Sequence, residues 1–180
     1  MSGYADRRMT GFGTNEAVRN HRNCKSCCQA GLSIIITIKE VSTLDDIIDV
    51  TAAIIHRKHE FLIARRRSGS LRGFWEFPGG KTRPGETLEE CLRREIREEM
   101  DVEIAIERPV LSVPWCDGSR RIRLHGYLCR WVSGEPVARD HESVVWIRCG
   151  ELGRFQFAPA DRPIVDYLVN SFDSRDFRDD

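Results

Sequence analysis

The sequence predicts an α/β domain from two observations. Short hydrophobic segments with the composition of β-strands follow one another along most of the chain. Two segments with helical spacing of apolar residues lie among them, from about Thr87 to Met100 and from about Asp161 to Phe172. This alternation is typical of strands packed against helices, although it does not by itself identify one particular α/β fold.

Length and composition define the expected domain organisation. The chain has 180 residues and a hydrophobic content of 41%, which suits one domain with a core of its own. Residues 1–31 are polar with little periodicity, so we expect a disordered N-terminal extension. The domain is predicted over residues 32–172, followed by a charged tail over residues 173–180.

Charge and cysteine content exclude several classes of function. The net charge is zero, with 28 basic and 28 acidic residues, which argues against a broad surface for duplex nucleic acid. No run of 18 apolar residues is present, so no membrane span is predicted. Seven mostly scattered cysteines fit a reducing cytoplasm better than a disulfide framework. Cys24 and Cys27 have the CxxC spacing of zinc ligands, but no second pair completes a site. Nothing indicates an oligomeric state.

Six segments have the composition of strands. They are residues 32–41, 49–55, 61–65, 110–115, 121–132 and 141–147. The second and third flank His56-Arg57-Lys58-His59, so they form a predicted hairpin whose two histidines we expect to be exposed to solvent. The fourth and fifth flank Asp117-Gly118, which is a typical hairpin turn.

The first helix carries acids on the face that should be buried. Its apolar stripe consists of Leu88, Cys91, Leu92, Ile96 and Met100. Glu95 and Glu99 fall in the same angular sector, and Glu98 lies one step to the side. A carboxylate facing a core is costly unless it is paired or bound to a metal. Three acids converging on one patch therefore predict a site for a hard divalent cation such as Mg²⁺.

The loop before this helix supports phosphate chemistry. Phe77-Pro78-Gly79-Gly80-Lys81 ends an apolar run and then turns. The two glycines allow the backbone to approach a ligand closely. Lys81 offers a positive charge to a phosphate group.

The same residues resemble a known family. Five residues separate Gly80 from Glu86, and seven more separate Glu86 from the run Arg94-Glu95-Ile96-Arg97-Glu98-Glu99, which is followed by Val102. This pattern is similar to the Nudix box. The family usually has Gly where this chain has Asp101, a site after the helix end where a left-handed residue is common. Asp tolerates that conformation better than most residues. The preceding Phe74–Lys81 stretch looks like the MutT branch, the nucleoside triphosphate pyrophosphohydrolases, and the resemblance covers about Asp49 to Val169.

The resemblance implies a fold and a set of roles. The expected fold is a Nudix α/β/α sandwich around a mixed β-sheet. The expected cofactor is Mg²⁺, with Mn²⁺ as an alternative, held by Glu95, Glu98, Glu99 and the Gly79 carbonyl. Glu142 is a further candidate ligand and, like Glu95, a candidate general base. Arg94 is expected to orient Glu95 or Glu86 through an ion pair.

The resemblance also suggests residues that contact the nucleotide. Arg65 or Arg66 is expected to meet the phosphate or the sugar, and Phe77 belongs either to the base site or to the core. MutT-like enzymes often read the base from a Pro-Ala-Asn sequence, and this chain has Pro159-Ala160-Asp161. An ionised Asp161 would accept a hydrogen bond from cytosine N4, and a protonated one would donate to a guanine-like edge. A helix N-cap is the structural alternative for this residue.

The expected function is hydrolysis of a (deoxy)nucleoside triphosphate to the monophosphate and pyrophosphate. Such an enzyme would cleanse the nucleotide pool of 8-oxo-dGTP or of cytidine-type nucleotides. The alternative is a Nudix module that binds nucleotide without catalysis and regulates a partner. That alternative predicts loss of acids from the box, whereas all four acids, Glu86, Glu95, Glu98 and Glu99, are present.

Overall fold

A computed structural model describes residues 47–116 and 120–171 of the chain. These residues form six strands, two α-helices and a short 3-10 helix. In chain order they are β1 Ile48–Arg57, β2 Glu60–Arg66, β3 Trp75–Glu76, α1 Leu88–Met100, β4 Glu103–Cys116, β5 Arg121–Ser133, β6 His141–Arg148, the 3-10 helix Cys149–Arg154, and α2 Arg162–Ser171. None of the helices in these residues is long and apolar enough to cross a membrane.

The strands form one mixed sheet. Its order is β3-β2-β1-β5-β4, and β6 pairs with β2. The pair of β1 with β5 is parallel, whereas the pairs β1–β2, β2–β3, β2–β6 and β4–β5 are antiparallel. The mixed sheet with a helix against each face confirms the predicted α/β/α sandwich.

The central strand β1 explains the two layers of core. Its residues from Thr51 to His56 are all buried, because both faces of the strand are covered. Ala53 and Ile55 point to the side of α1, where they join Leu92, Ile96 and Met100 of that helix. Ala52 and Ile54 point to the other side, where α2 contributes its own core residues. These are Ile164, Val165 and Leu168.

The segment after β3 runs between β1 and β2. The two strands pair near their connecting turn, at His56 with Phe61 and Arg57 with Glu60. Further along, the chain beside β1 is the loop that leads to α1, since the N–H of Ala53 donates to Pro78 at 2.7 Å. This arrangement places the glycine-rich loop at the centre of the sheet.

Several sequence predictions differ from the structure. Strand β4 begins at Glu103 rather than 110, because shifts of register around Pro109 interrupt the alternating pattern that the prediction used. His56 is 5% exposed and contacts Glu107 with its Nε2 at 3.1 Å, so the prediction that it is exposed was wrong. The predicted strand 32–41, the terminal segments 1–31 and 173–180, Cys24, Cys27 and the Asp117-Gly118 turn lie outside the described residues.

Candidate active site

Helix α1 is fixed at both ends by its own sequence. At its start, Thr87 and Glu90 form a capping box, in which the N–H of Glu90 donates to Thr87 Oγ1 at 3.2 Å. The N–H of Thr87 donates in turn to Glu90 Oε2 at 2.9 Å. At its end, Asp101 adopts the left-handed conformation with φ of 60°, as the sequence analysis predicted. The acids of the last turn are therefore presented at a defined place.

Arg94 connects two of the predicted acids. Its Nε and NH2 atoms donate to the two oxygens of Glu86 at 2.7 and 2.8 Å, and NH1 donates to Glu95 Oε1 at 2.6 Å. The hydrogen bonds from Arg94 lower the pKa of Glu86 to about 2, against a smaller opposing effect of desolvation. The sequence offered Glu95 and Glu86 as alternative partners, and Arg94 pairs with both.

The glycine-rich loop lies tightly between strand β1 and helix α1. At Gly79, with φ of +155°, an added Cβ would lie 2.1 Å from the Thr51 carbonyl oxygen. At Gly80 it would lie 2.3 Å from the carboxyl carbon of Glu95. The Glu95 carboxylate therefore rests against the loop backbone, and a side chain at either glycine would displace it or the strand.

Glu99 carries an unpaired oxygen in a buried position. Its Oε2 has no hydrogen-bond partner among the described residues. Burial raises the pKa of Glu99 to about 7, while the nearby His141 acts to lower it and Glu95 acts to raise it. Glu98, by contrast, is 50% exposed and contacts Arg83 and Arg94, each at 3.3 Å. A bound cation would satisfy the free oxygen of Glu99 and keep this carboxyl ionised.

These acids fit a magnesium ion without forming a complete cage. Among the described residues, no three acidic, histidine or cysteine side chains are gathered into a preformed metal centre. Mg²⁺ usually takes only one or two carboxylates from a protein and completes its shell with water and substrate phosphates. The free oxygen of Glu99, beside a loop that already contacts Glu95, suits that mode of binding.

A cleft of about 300 Å³ opens beside Glu99. Six of the predicted site residues line it, and they come from distant parts of the sequence: Arg66, Phe77, Gly79, Lys81, Glu99 and Asp161. The volume is at the lower end of the range for small-molecule sites. The structure thus brings the glycine-rich loop, the end of α1 and the start of α2 to one place.

Arg65 and Glu142 do not line the cleft, so of the two arginines expected to contact the nucleotide, Arg65 or Arg66, it is Arg66 that lies there. Arg65 NH1 donates to Glu142 Oε1 at 3.2 Å, and the two side chains are 42% and 44% exposed. Neighbouring residues of a strand point to opposite faces, so His141 and Arg66 face the cleft and Glu142 and Arg65 do not. The acid of this region that lines the cleft is Asp140.

Glu76, His141 and Arg66 form a network in the cleft, and of these only Arg66 was a candidate site residue from the sequence. Glu76 accepts from His141 Nε2 at 3.1 Å with one oxygen and from Arg66 NH1 with the other. His141 is 5% exposed, and its Nδ1 has no partner among the described residues, as is also true of Arg66 Nε. For His141, the only available signal was the strand alternation that separates it from Glu142.

Asp161 and Phe77 meet at the inner end of the cleft. Asp161 is 5% exposed, and its Oδ1 accepts from the N–H of Phe77 at 3.0 Å. Burial raises the pKa of Asp161 to about 8, against the opposing effect of that N–H. Its side chain thus reaches Phe77 rather than forming the predicted cap of α2, although its backbone oxygen accepts from Ile164 and Val165. Phe77 is 3% exposed and packs on Phe157, so it belongs to both the core and the cleft wall.

Comparison with known proteins agrees with this architecture. Residues 47–168 match the family model described as NUDIX domain. The CTP pyrophosphohydrolase of Escherichia coli K12 is 36% identical over 123 residues, which are 68% of this chain and 91% of that protein. The putative 8-oxo-dGTP diphosphatase 2 of Mycobacterium tuberculosis is 38% identical over 126 residues, which are 68% of this chain and 88% of that protein.

A solved structure shows the same fold. The solution structure of the DNA mismatch repair protein MutT, a Nudix hydrolase from methicillin-resistant Staphylococcus aureus 252, is 35% identical with a TM-score of 0.59. The similarity covers 69% of this chain and 96% of that one. The fold and the site thus define a Nudix hydrolase. This chain belongs to the NUDIX domain family, and the predicted resemblance to MutT is confirmed.

Proposed function

We propose that this protein hydrolyses nucleoside triphosphates to the monophosphate and pyrophosphate in a Mg²⁺-dependent reaction. One observation carries the proposal. Among the described residues, three have a buried side-chain polar atom without a hydrogen-bond partner: Arg66, Glu99 and His141. All three line the same cleft. Buried polar groups are normally satisfied, so three in one cleft indicate a site built to receive a charged ligand.

The acids of α1 supply the metal site in this proposal. Glu99 would provide its unpaired oxygen, and Glu95, Glu98 and the Gly79 carbonyl would complete the set that holds the ion. When bound, Mg²⁺ or Mn²⁺ would supply positive charge against the phosphate oxygens and would make a water molecule more acidic. Arg94 keeps the Glu95 carboxylate in place and is itself held by Glu86. Glu142 is directed toward Arg65, so of the two candidates Glu95 and Glu142 we propose Glu95 as the general base.

The basic residues of the cleft provide the phosphate contacts. Lys81 lies beside the glycine-rich loop, and Arg66 extends from β2 into the same space. The pairing of Arg66 with Glu76 leaves its Nε free to donate to a phosphate oxygen. The region where Lys81 and Glu99 lie is thus the place for the triphosphate.

Asp161 is the residue that we propose reads the base. With a pKa of about 8 it carries a proton at neutral pH, so the carboxyl group can donate a hydrogen bond. This favours a guanine-like edge with an accepting oxygen, as in 8-oxo-dGTP, which the name of the M. tuberculosis relative also contains. The name of the E. coli relative supports the second candidate, a cytidine nucleotide, which an ionised Asp161 would prefer.

Pyrophosphate release across a nucleotide panel tests both parts of the proposal. The panel contains 8-oxo-dGTP, dGTP, dCTP, 5-methyl-dCTP, CTP and dATP, each with Mg²⁺ and with excess chelator. We expect pyrophosphate rather than orthophosphate as the product, only with the metal, and the highest kcat/KM for 8-oxo-dGTP. Preference for a cytosine nucleotide would assign the second substrate class. Absence of turnover with every nucleotide would refute the proposed reaction.

A further inference from the structure

A short segment between β5 and β6 crosses the C-terminal end of helix α1. We call residues 134–140 the strap. The N–H of Val137 donates to the carbonyl of Met100 at 3.0 Å, and the N–H of Arg139 donates to the carbonyl of Glu99 at 3.2 Å. The last turn of a helix leaves such carbonyls without an intrahelical partner. The strap therefore holds the backbone of Glu99 directly.

Two further contacts keep the strap against the helix end. At Gly134, with φ of +93°, an added Cβ would lie 2.5 Å from the carbonyl oxygen of Asp101. Near the other end, Arg139 NH2 is 2.9 Å from Asp101 Oδ2. The strap then ends at Asp140, which lines the cleft together with Glu99. Its position thus affects two acids of the candidate active site.

Arg67 ties the strap to the other side of the cleft. It follows the last residue of β2 and lines the cleft. Its NH2 atom donates to the carbonyl of Ala138 at 3.1 Å and to that of His141. One guanidinium thereby joins the end of β2 to the strap and to the first residue of β6. The hydrogen bonds are made to backbone oxygens, so they position a segment of chain.

We propose that Arg67 is a positioning residue for the metal-binding acids, acting through the strap. By holding Ala138 and His141, Arg67 fixes the strap at the C-terminal end of α1, and the strap in turn fixes Glu99 and places Asp140 beside it. The inference rests on the proposed metal-dependent function, because it assigns Arg67 a part in building that metal site. The competing role is direct contact between Arg67 and a substrate phosphate.

Metal binding without nucleotide separates the two roles. Mn²⁺ affinity is measured by titration, and amide hydrogen exchange of residues 134–140 is measured in the metal-free protein. The variants are Arg67→Ala and Arg67→Lys. Arg57→Ala is the matched control, since Arg57 is also partly exposed and pairs with Glu60 at the distant end of the hairpin.

We expect Arg67→Ala to bind Mn²⁺ about tenfold more weakly or worse, in the range seen when groups supporting metal ligands are removed. The amides of Val137 and Arg139 should exchange faster, and kcat should fall with little change in KM. Arg67→Lys should recover part of the Mn²⁺ affinity, because an ammonium group can still donate to the carbonyls. Arg57→Ala should match the wild type.

Two results would overturn the positioning role. Unchanged Mn²⁺ affinity and exchange with a raised KM would make Arg67 a phosphate contact, and no change in any quantity would leave it without a role at the site. Failure of the proposed function itself would be detected in the wild-type protein, before any variant is compared. The wild type would then neither bind Mn²⁺ nor release pyrophosphate, and the positioning role would fall with it.

Discussion

At the scale of single residues, burial decides the chemistry of two acids that face one cleft. It raises the pKa of Glu99 to about 7 and that of Asp161 to about 8, as the first cause in each case. The helical period identified Glu99 as unusual, since it continues an apolar stripe. The sequence left the protonation state of Asp161 open, because it depends on how completely Phe77 and its neighbours exclude water.

Asp161→Asn should change how stability depends on pH. The folded chain keeps a proton on Asp161 between about pH 4 and pH 8, whereas the unfolded chain loses it, given pKa values of about 8 and 3.8. The stabilisation from this group is therefore complete below about pH 4 and is lost as the pH rises through about 8. Asparagine does not titrate. The unfolding free energy of the wild type minus that of Asp161→Asn should therefore decrease as the pH rises.

Urea unfolding of both proteins at pH 5, 6, 7 and 8 measures this advantage. The raised pKa of Glu99 contributes equally to the two proteins and cancels in the difference. A difference in unfolding free energy that stays constant over the whole range would show that Asp161 does not hold a proton in the folded state.

At the scale of elements, α1 was the best predicted part of the chain. Its apolar stripe, its last residue Met100 and the left-handed Asp101 all follow from local rules, because a helix makes its hydrogen bonds within a short stretch of sequence. The strands were harder, since their pairing depends on distant partners. Glu142 shows this, because a shift by one residue along β6 exchanges it for His141, and the choice between Arg65 and Arg66 on β2 was left open for the same reason.

Thr87→Ala should weaken the start of α1 without altering the chemistry. The substitution removes the oxygen that accepts from the N–H of Glu90, which typically costs about 1 kcal/mol. For a chain of this size we expect a fall in Tm of about 2–4 °C in a thermal scan. Thr87→Ser is the matched control, since it keeps the accepting hydroxyl and should retain most of the stability. A loss in Thr87→Ser as large as in Thr87→Ala would show that the capping hydrogen bond is not the cause.

At the scale of the whole molecule, the cleft exists only because distant segments meet. Strand β2 separates from β1 beyond their shared turn, and the glycine-rich loop lies alongside β1 there. Three further segments contribute one residue each to the cleft: Glu99 from the end of α1, Asp161 from just before α2, and His141 from the start of β6. The sequence could indicate most of the acids and the loop. It could not indicate the network of Glu76 with Arg66 and His141, because that network depends on the pairing of β2 with β3 and β6.

The most direct test of the account is pyrophosphate release by Glu99→Gln and wild-type protein, measured side by side across Mg²⁺ concentrations with the nucleotide that the panel favours. Glutamine keeps the shape of the side chain but removes the charge that we assign to the metal, a contribution worth several kcal/mol. We expect kcat to fall at least about 100-fold in a variant whose circular dichroism and Tm match a folded protein. Unchanged turnover in folded Glu99→Gln would contradict the assignment of Glu99 to the metal and, with it, the mechanism proposed for this cleft.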